Sequence, residues 1–265
     1  MTKRQTVKTA CITGATSGIG EAVAFRLAAE NMNLIITGRR KERLESLKKE
    51  IEAARGVRVY PLPFDVRNCD EVCRAFDSLP GEWREIETLV NNAGLAVGLD
   101  PLHEGAVEDW ERMIDTNIKG LLYVTRAVSP GMVARKSGHI INIGSIAGKE
   151  VYPNGAVYCA TKHAADALSK GMRMDLLPYG IRVTQICPGA TATEFSLVRF
   201  KGDRRRAAQV YDGFVPLSAA DIAEAVGFAV SRPPHVNIQD LLIMPTAQAA
   251  ATCFHKTASR TESAE

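Results

Sequence analysis

Tyr158 and Lys162 stand four residues apart in the run Val157-Tyr158-Cys159-Ala160-Thr161-Lys162, and Ser145 lies thirteen residues upstream, after an apolar run. On a helix, positions i and i+4 face the same way. An ammonium held that close to a phenol favours the phenolate. Bringing a tyrosine from about pKa 10 to near 7 takes roughly 4 kcal/mol, at about 1.36 kcal/mol per unit. Such a pair is suited to acid–base catalysis at neutral pH, with Ser145 placed to hydrogen-bond the reacting oxygen. A tyrosine and a lysine at this spacing also occur on ordinary helices, so the weight falls on the elements around them.

Those elements alternate. Short apolar runs at 8–13, 33–37, 58–61, 88–91, 139–143, 182–186 and 240–243 read as strands. Between them, amphipathic stretches at 40–54, 70–78, 108–135, 156–177 and 220–231 read as helices. Repeated strand–helix alternation predicts a doubly wound parallel α/β sheet of about seven strands with helices on both faces. Nearly continuous apolar runs such as Ile140-Ile141-Asn142-Ile143 fit strands buried on both sides. A single domain over residues 1–256 is expected, with a polar, disordered tail at 257–265. The stretch 194–214 breaks the rhythm and carries Arg199, Lys201, Arg204, Arg205 and Arg206. A long irregular insertion of this kind is often a lid.

The first strand runs into Thr13-Gly14-Ala15-Thr16-Ser17-Gly18-Ile19-Gly20, followed by a helical pattern. Its glycines let a backbone turn tightly and approach a pyrophosphate, and the helix N-terminus adds free N–H groups. The second strand ends in Gly38-Arg39-Arg40, where an NAD-selective site would carry an acid. Arginine matches a ribose 2′-phosphate in charge and bidentate geometry, so the expected coenzyme is NADP(H). The other reading has Arg39 and Arg40 as solvated charges opening the next helix. Asp65-Val66 follows the third strand, where Asp65 can accept from an adenine amino group. The fourth ends in Asn91-Asn92-Ala93-Gly94: Gly94 lets the backbone pass close to a coenzyme, whereas Asn91 either touches it or ties loops to the sheet.

Bulk properties narrow the class. The chain has 265 residues, 46% hydrophobic and 24% charged, enough for a large core. A net charge of +3, dispersed among acids, gives no reason to expect nucleic acid. No run of eighteen apolar residues predicts a membrane span, and no signal-peptide pattern is present. The six cysteines form no C-x-x-C pair, so no metal site is expected; several lie in apolar runs, as in a reducing cytoplasm.

As an ordered set these motifs resemble the short-chain dehydrogenases/reductases, over roughly residues 8–245: T-G-x-x-x-G-x-G at 13–20, D-V at 65–66, N-N-A-G at 91–94, Asn117, Ser145, Y-x-x-x-K at 158–162 and Pro188-Gly189. The resemblance implies that Tyr158 exchanges a proton with the substrate oxygen and that Ser145 orients that oxygen. Lys162 would lower the Tyr158 pKa and bind the nicotinamide ribose. Asn117 would hold a relay water, or, read bare, merely kink its helix. Pro188-Gly189 with Thr191 or Thr193 would cover the nicotinamide carboxamide. Further runs, among them 38–44, 107–111, 139–145 and 193–203, are similar to the NADP-dependent 3-hydroxy acid (serine, allo-threonine) dehydrogenase branch. That branch implies a small anionic hydroxy acid or semialdehyde as substrate, and a homotetramer. Arg199, with Tyr152, would either clamp the substrate anion or hold a salt-bridged lid. A 3-oxoacyl reductase and a non-catalytic coenzyme sensor on the same fold are the competing readings.

Overall fold

The computed structural model describes residues 7–257, so the expected polar tail lies, from 258 onward, outside the described residues. The seven apolar runs form β1 (Thr9–Ile12), β2 (Asn33–Gly38), β3 (Val59–Pro63), β4 (Ile86–Asn91), β5 (Gly138–Ile143), β6 (Ile181–Pro188) and β7 (Asp240–Ile243). They pair in parallel in the order β3-β2-β1-β4-β5-β6-β7. The helices are α1 (Gly18–Ala29), α2 (Lys41–Arg55), α3 (Cys69–Asp77), α4 (Val107–Ile114), α5 (Leu121–Arg135), α6 (Ala156–Leu176), α7 (Glu194–Arg199), α8 (Arg204–Gln209) and α9 (Ala219–Val230).

Alternation along each strand feeds two apolar layers. Ala10, Ile12, Leu34 and Ile36 pack against Val23 and Leu27 of α1, Leu44 and Ile51 of α2, and Ile222 and Val226 of α9. Their neighbours Cys11 and Ile35 point the other way, to Val72 and Phe76 of α3 and Val124, Val128 and Met132 of α5. Each fully buried Leu or Ile contributes about 1.5–3 kcal/mol, so both strand faces hold the sheet in place. The chain builds outward from β1 to β3, then crosses back to lay β4 on the other side of β1. At that reversal the loops after the strands splay apart, and a crevice opens at their C-terminal ends.

Two expectations are corrected. The single helix expected over 108–135 is α4 and α5 joined by a π-turn at Asp115–Gly120. The cause is local: Gly120 presses on Val66, where an added Cβ would lie 2.8 Å from Cγ2, and Asn117 is held by the loop after β4. The insertion at 194–214 is not irregular but carries α7 and α8, whose first turns are capped by Thr193 and Asp203.

Candidate active site

The crevice is an open cleft of about 670 Å³ that runs from the end of β2 to the start of the lid. Nearly every residue singled out in the sequence lines it: Gly14, Thr16, Ser17, Gly18, Ile19, Arg39, Arg40, Asp65, Val66, Asn92, Ala93, Gly94, Ser145, Tyr152, Tyr158, Lys162, Pro188, Gly189, Thr191, Thr193 and Arg199. Gly20 and Asn117 stand behind its wall.

At the coenzyme end the glycine loop is braced from β4. Thr13 Oγ1 accepts from the Asn92 and Ala93 amides, both at 3.0 Å, and Asn92 Nδ2 donates to the Thr13 carbonyl at 2.8 Å. Gly20 is required here because a Cβ would run into the Gly14 carbonyl and the Asn92 amide. No side chain caps α1, so its first-turn N–H groups remain available to a ligand. Arg40 folds over the loop, its Nη2 donating to Thr16 Oγ1 at 2.8 Å and Ser17 Oγ at 3.0 Å. Partial burial pushes the Asp65 carboxyl up, but the Arg67 guanidinium outweighs it and holds Asp65 below the usual carboxylate range. Arg67 Nη2 reaches Asp65 Oδ2 at 2.6 Å. Asn91 makes no approach to the cleft; its Nδ2 donates to Thr125 Oγ1 at 3.0 Å and Asn142 Oδ1 at 2.9 Å, which ties β4 to α5 and β5.

At the other end β5 delivers Ser145 and α6 delivers Tyr158 and Lys162. Gly144 passes too close to Gln185 and Cys187 for any side chain, with a Cβ 2.6 Å from Gln185 Nε2, and this sets Ser145 at the strand end. Ser145 Oγ accepts from the Ala147 amide at 3.0 Å. Tyr158 and Lys162 are both 8% exposed. Lys162 Nζ donates to the Ile143 carbonyl at 2.9 Å, and burial pushes its ammonium down to about 8. Burial, then the Tyr152 phenol, push the Tyr158 phenol up, while Arg199 and a hydrogen bond with Ser145 act the other way. The expected lowering of the Tyr158 phenol by Lys162 is therefore not found in this structure, because the ammonium is turned to the β5 carbonyl and desolvation dominates.

Asn117 is spent on architecture. Its Oδ1 accepts from the Leu95 amide at 2.9 Å, and its Nδ2 donates to the Leu95 carbonyl at 2.8 Å and Thr161 Oγ1 at 3.0 Å. The π-turn thus clamps the loop after β4 to α6, beside Lys162.

The lid brings one cation to the reacting end. Arg199 Nη2 donates to the Tyr152 hydroxyl at 2.7 Å, and its guanidinium lies 5.0 Å from the Tyr158 ring centroid and 5.1 Å from that of Phe195. Its buried Nε has no partner among the described residues. Lys201 turns away to Asp109 at 2.7 Å. Residues that sequence reasoning missed complete the walls. Phe195 packs its ring 5.6 Å from that of Tyr158, and Tyr211 donates to the Thr191 carbonyl at 2.8 Å. From the far end of the chain, Gln248 Oε1 accepts from the Ala190 amide at 2.8 Å, the Ala251 amide donates to Glu150 at 2.7 Å, and the Thr257 amide donates to the Gly213 carbonyl at 2.9 Å. Phe195 was visible two residues after Thr193, in a stretch that also carries Phe200, Tyr211 and Phe214; nothing in the local sequence marks Gln248.

Residues 8–202 match the family model described as short chain dehydrogenase. This chain belongs to that family. Among short-chain dehydrogenases it is 50% identical over 241 residues to the NADP-dependent 3-hydroxy acid dehydrogenase of Salmonella typhi, covering 91% of this chain and 96% of that one. It is 42% identical over 250 residues to the NADP-dependent 3-hydroxy acid dehydrogenase of Schizosaccharomyces pombe, covering 94% and 96%. The closed form of a serine dehydrogenase complexed with NADP+ superposes with a TM-score of 0.89 at 48% identity, covering 94% of this chain and all of that one. A serine dehydrogenase from Escherichia coli gives a TM-score of 0.78 at 44% identity, covering 91% and 99%.

Proposed function

We propose that this short-chain dehydrogenase is an NADP(H)-dependent oxidoreductase that interconverts a small 3-hydroxy acid and its semialdehyde, of the serine, 3-hydroxypropionate or sulfoacetaldehyde type. The observation that carries the substrate class is Arg199: a guanidinium over the catalytic tyrosine, with a buried donor left free for an anion. The cleft suits a dinucleotide, since Gly20 is forced by backbone contact, α1 opens without a cap, and Arg39 lines the wall with no side-chain partner among the described residues. Gly14 to Gly20 would hold the pyrophosphate, Asp65 and Val66 the adenine, and Arg39 and Arg40 the 2′-phosphate. Asn92, Ala93 and Gly94 would flank the ribose, and Pro188, Gly189, Thr191 and Thr193 the carboxamide. The NADP dependence in the relatives' names agrees with the two arginines.

The bound coenzyme supplies or accepts the hydride. Tyr158, kept protonated at neutral pH by burial, gives its proton to the carbonyl oxygen in reduction and takes it back in oxidation. Ser145 orients that oxygen. Lys162 would bind the ribose hydroxyls and, turned from Ile143, lower the Tyr158 pKa. Asn117, whose Oδ1 accepts only from the Leu95 amide among the described residues, keeps a second lone pair that could hold a relay water. Arg199 and Tyr152 hold the substrate anion under the lid at 194–214, where exclusion of water strengthens the pair.

The enzyme would work as a single-domain homotetramer in the cytoplasm, in keeping with six free cysteines and with apolar side chains exposed on α4, α5 and α6. The test is NADPH oxidation with a panel of small acidic aldehydes, neutral aldehydes of equal size and 3-oxoacyl thioesters. The acidic aldehydes should turn over best, and Arg199→Ala should raise their KM far more than that of the neutral ones. An equal loss on both classes would make Arg199 a lid support and remove the anionic substrate class.

A further inference from the structure

Glu194 opens α7 and reaches across to the coenzyme arginines. Its Oε2 meets Arg40 Nη1 at 3.3 Å, and its Oε1 meets Arg43 Nη1 at 3.1 Å. The other arms of Arg40 are committed to the glycine loop: Nε donates to Thr16 Oγ1 at 3.1 Å, and Nη2 serves Thr16 and Ser17. Nη1 is the arm not bound to the loop, and a carboxylate from the lid holds it. The same helix is anchored on the loop just before Glu194, where a Cβ on Gly18 would lie 3.2 Å from Thr193 Cβ. Its last residue is Arg199, over the Tyr158 ring. One short helix therefore carries a carboxylate at the coenzyme end and a guanidinium at the substrate end.

We propose that Glu194 is a coenzyme-specificity residue: an internal counter-ion for Arg40 that competes with the ribose 2′-phosphate, so that the phosphate, by displacing it, resets α7 and with it Arg199. This rests on the reading of the cleft as an NADP(H) site. A phosphate monoester carries about −1.5 to −2 charges near neutral pH, and it cannot share one N–H arm with a carboxylate without like-charge repulsion. Both partners of the Arg40–Glu194 pair are roughly half exposed, at 42% and 45%, so the contact is weak enough to exchange. A coenzyme without the phosphate leaves the pair in place. The carboxylate thus acts against NADPH alone and is neutral towards NADH.

The experiment is fluorescence titration of the full-length enzyme with NADPH and NADH, for wild type, Glu194→Gln, Arg40→Ala and the double variant. Glu194→Gln keeps the size of the side chain and one of its two acceptor oxygens and removes its charge. It should tighten NADPH roughly two- to fivefold, the upper part of the range expected for releasing an exposed ion pair, and leave NADH unchanged. In the Arg40→Ala background most of that gain should vanish. Weaker NADPH binding in Glu194→Gln would show that Glu194 positions Arg40 instead, and equal changes for both coenzymes would show a general effect on the loop; either overturns the proposal, as does a gain that survives Arg40→Ala. If wild type itself binds NADH as tightly as NADPH, the coenzyme reading fails first and this proposal with it, which the wild-type titration alone reveals.

Discussion

Tyr158 and Lys162 divide the labour of the site through opposite responses to burial. Tyr158→Phe keeps the ring that packs on Phe195 and deletes only the hydroxyl, so turnover should fall below a tenth of wild type while NADPH binding persists. Retained turnover would sink the proposed proton donor. Lys162 has a stability signature of its own. Its ammonium is held at about 8 against an ordinary 10.5, so between those values the unfolded chain binds the proton more readily than the folded one. Folded stability therefore rises with pH across that window, and below it the charged lysine costs up to about 3 kcal/mol. Without coenzyme, Lys162→Met should be inactive yet have a higher urea midpoint than wild type at pH 7, the gap closing as pH approaches 10.5. No gap at pH 7 would refute the strained lysine. Helical spacing placed Tyr158 and Lys162 on one face, and the surrounding motifs, not the spacing alone, singled them out together with Ser145. The direction of the Lys162 head was not legible in the sequence, since it depends on where β5 leaves the Ile143 carbonyl.

Elements position these groups more than they are positioned by them. The junction of β2 and α2 presents Arg39 and Arg40 differently, one in the cleft with no side-chain partner among the described residues and the other bound to the glycine loop and lid. Losing a charge-assisted contact costs about 1.5–3 kcal/mol, so Arg39→Ala should weaken NADPH binding tens-fold and barely alter NADH. Equal losses, measured by titration, would assign Arg39 to structure. Sequence periodicity located all seven strands to within a few residues, because buried parallel strands are short apolar runs with sharp polar ends. It ran straight through the π-turn at Asp115–Gly120, since one extra residue in a turn scarcely disturbs a 3.6-residue pattern. It also passed over α7 and α8, which are six residues each and too short to show a repeat.

At the scale of the whole molecule, the apolar surface is unevenly spread. Leu122 on α5 and Met174 and Leu177 at the end of α6 are 39%, 70% and 74% exposed, and Phe228 on α9 and Leu242 on β7 are 47% and 50% exposed. Two separate faces of this kind suit two different subunit contacts, as a tetramer with dihedral symmetry requires. Light scattering at micromolar concentration should give about four times the 28.7 kDa chain mass. A monomer would contradict it. The parallel seven-stranded sheet followed from strand–helix alternation, but contacts such as Gln248 with Ala190, 58 residues apart, have no local signal to read.

That last contact gives the chain a schedule. The residues proposed to grip the coenzyme arm from adenine to pyrophosphate all lie at or before Gly94, whereas the proposed roof over the reacting carbon also uses the stretch from Gln248 to Thr257, more than 150 residues later in the chain. A growing chain can thus complete its nucleotide grip long before it can select a substrate. The same order makes the carboxyl end the place where duplication and drift can retune what is reduced while leaving intact the means of reducing it.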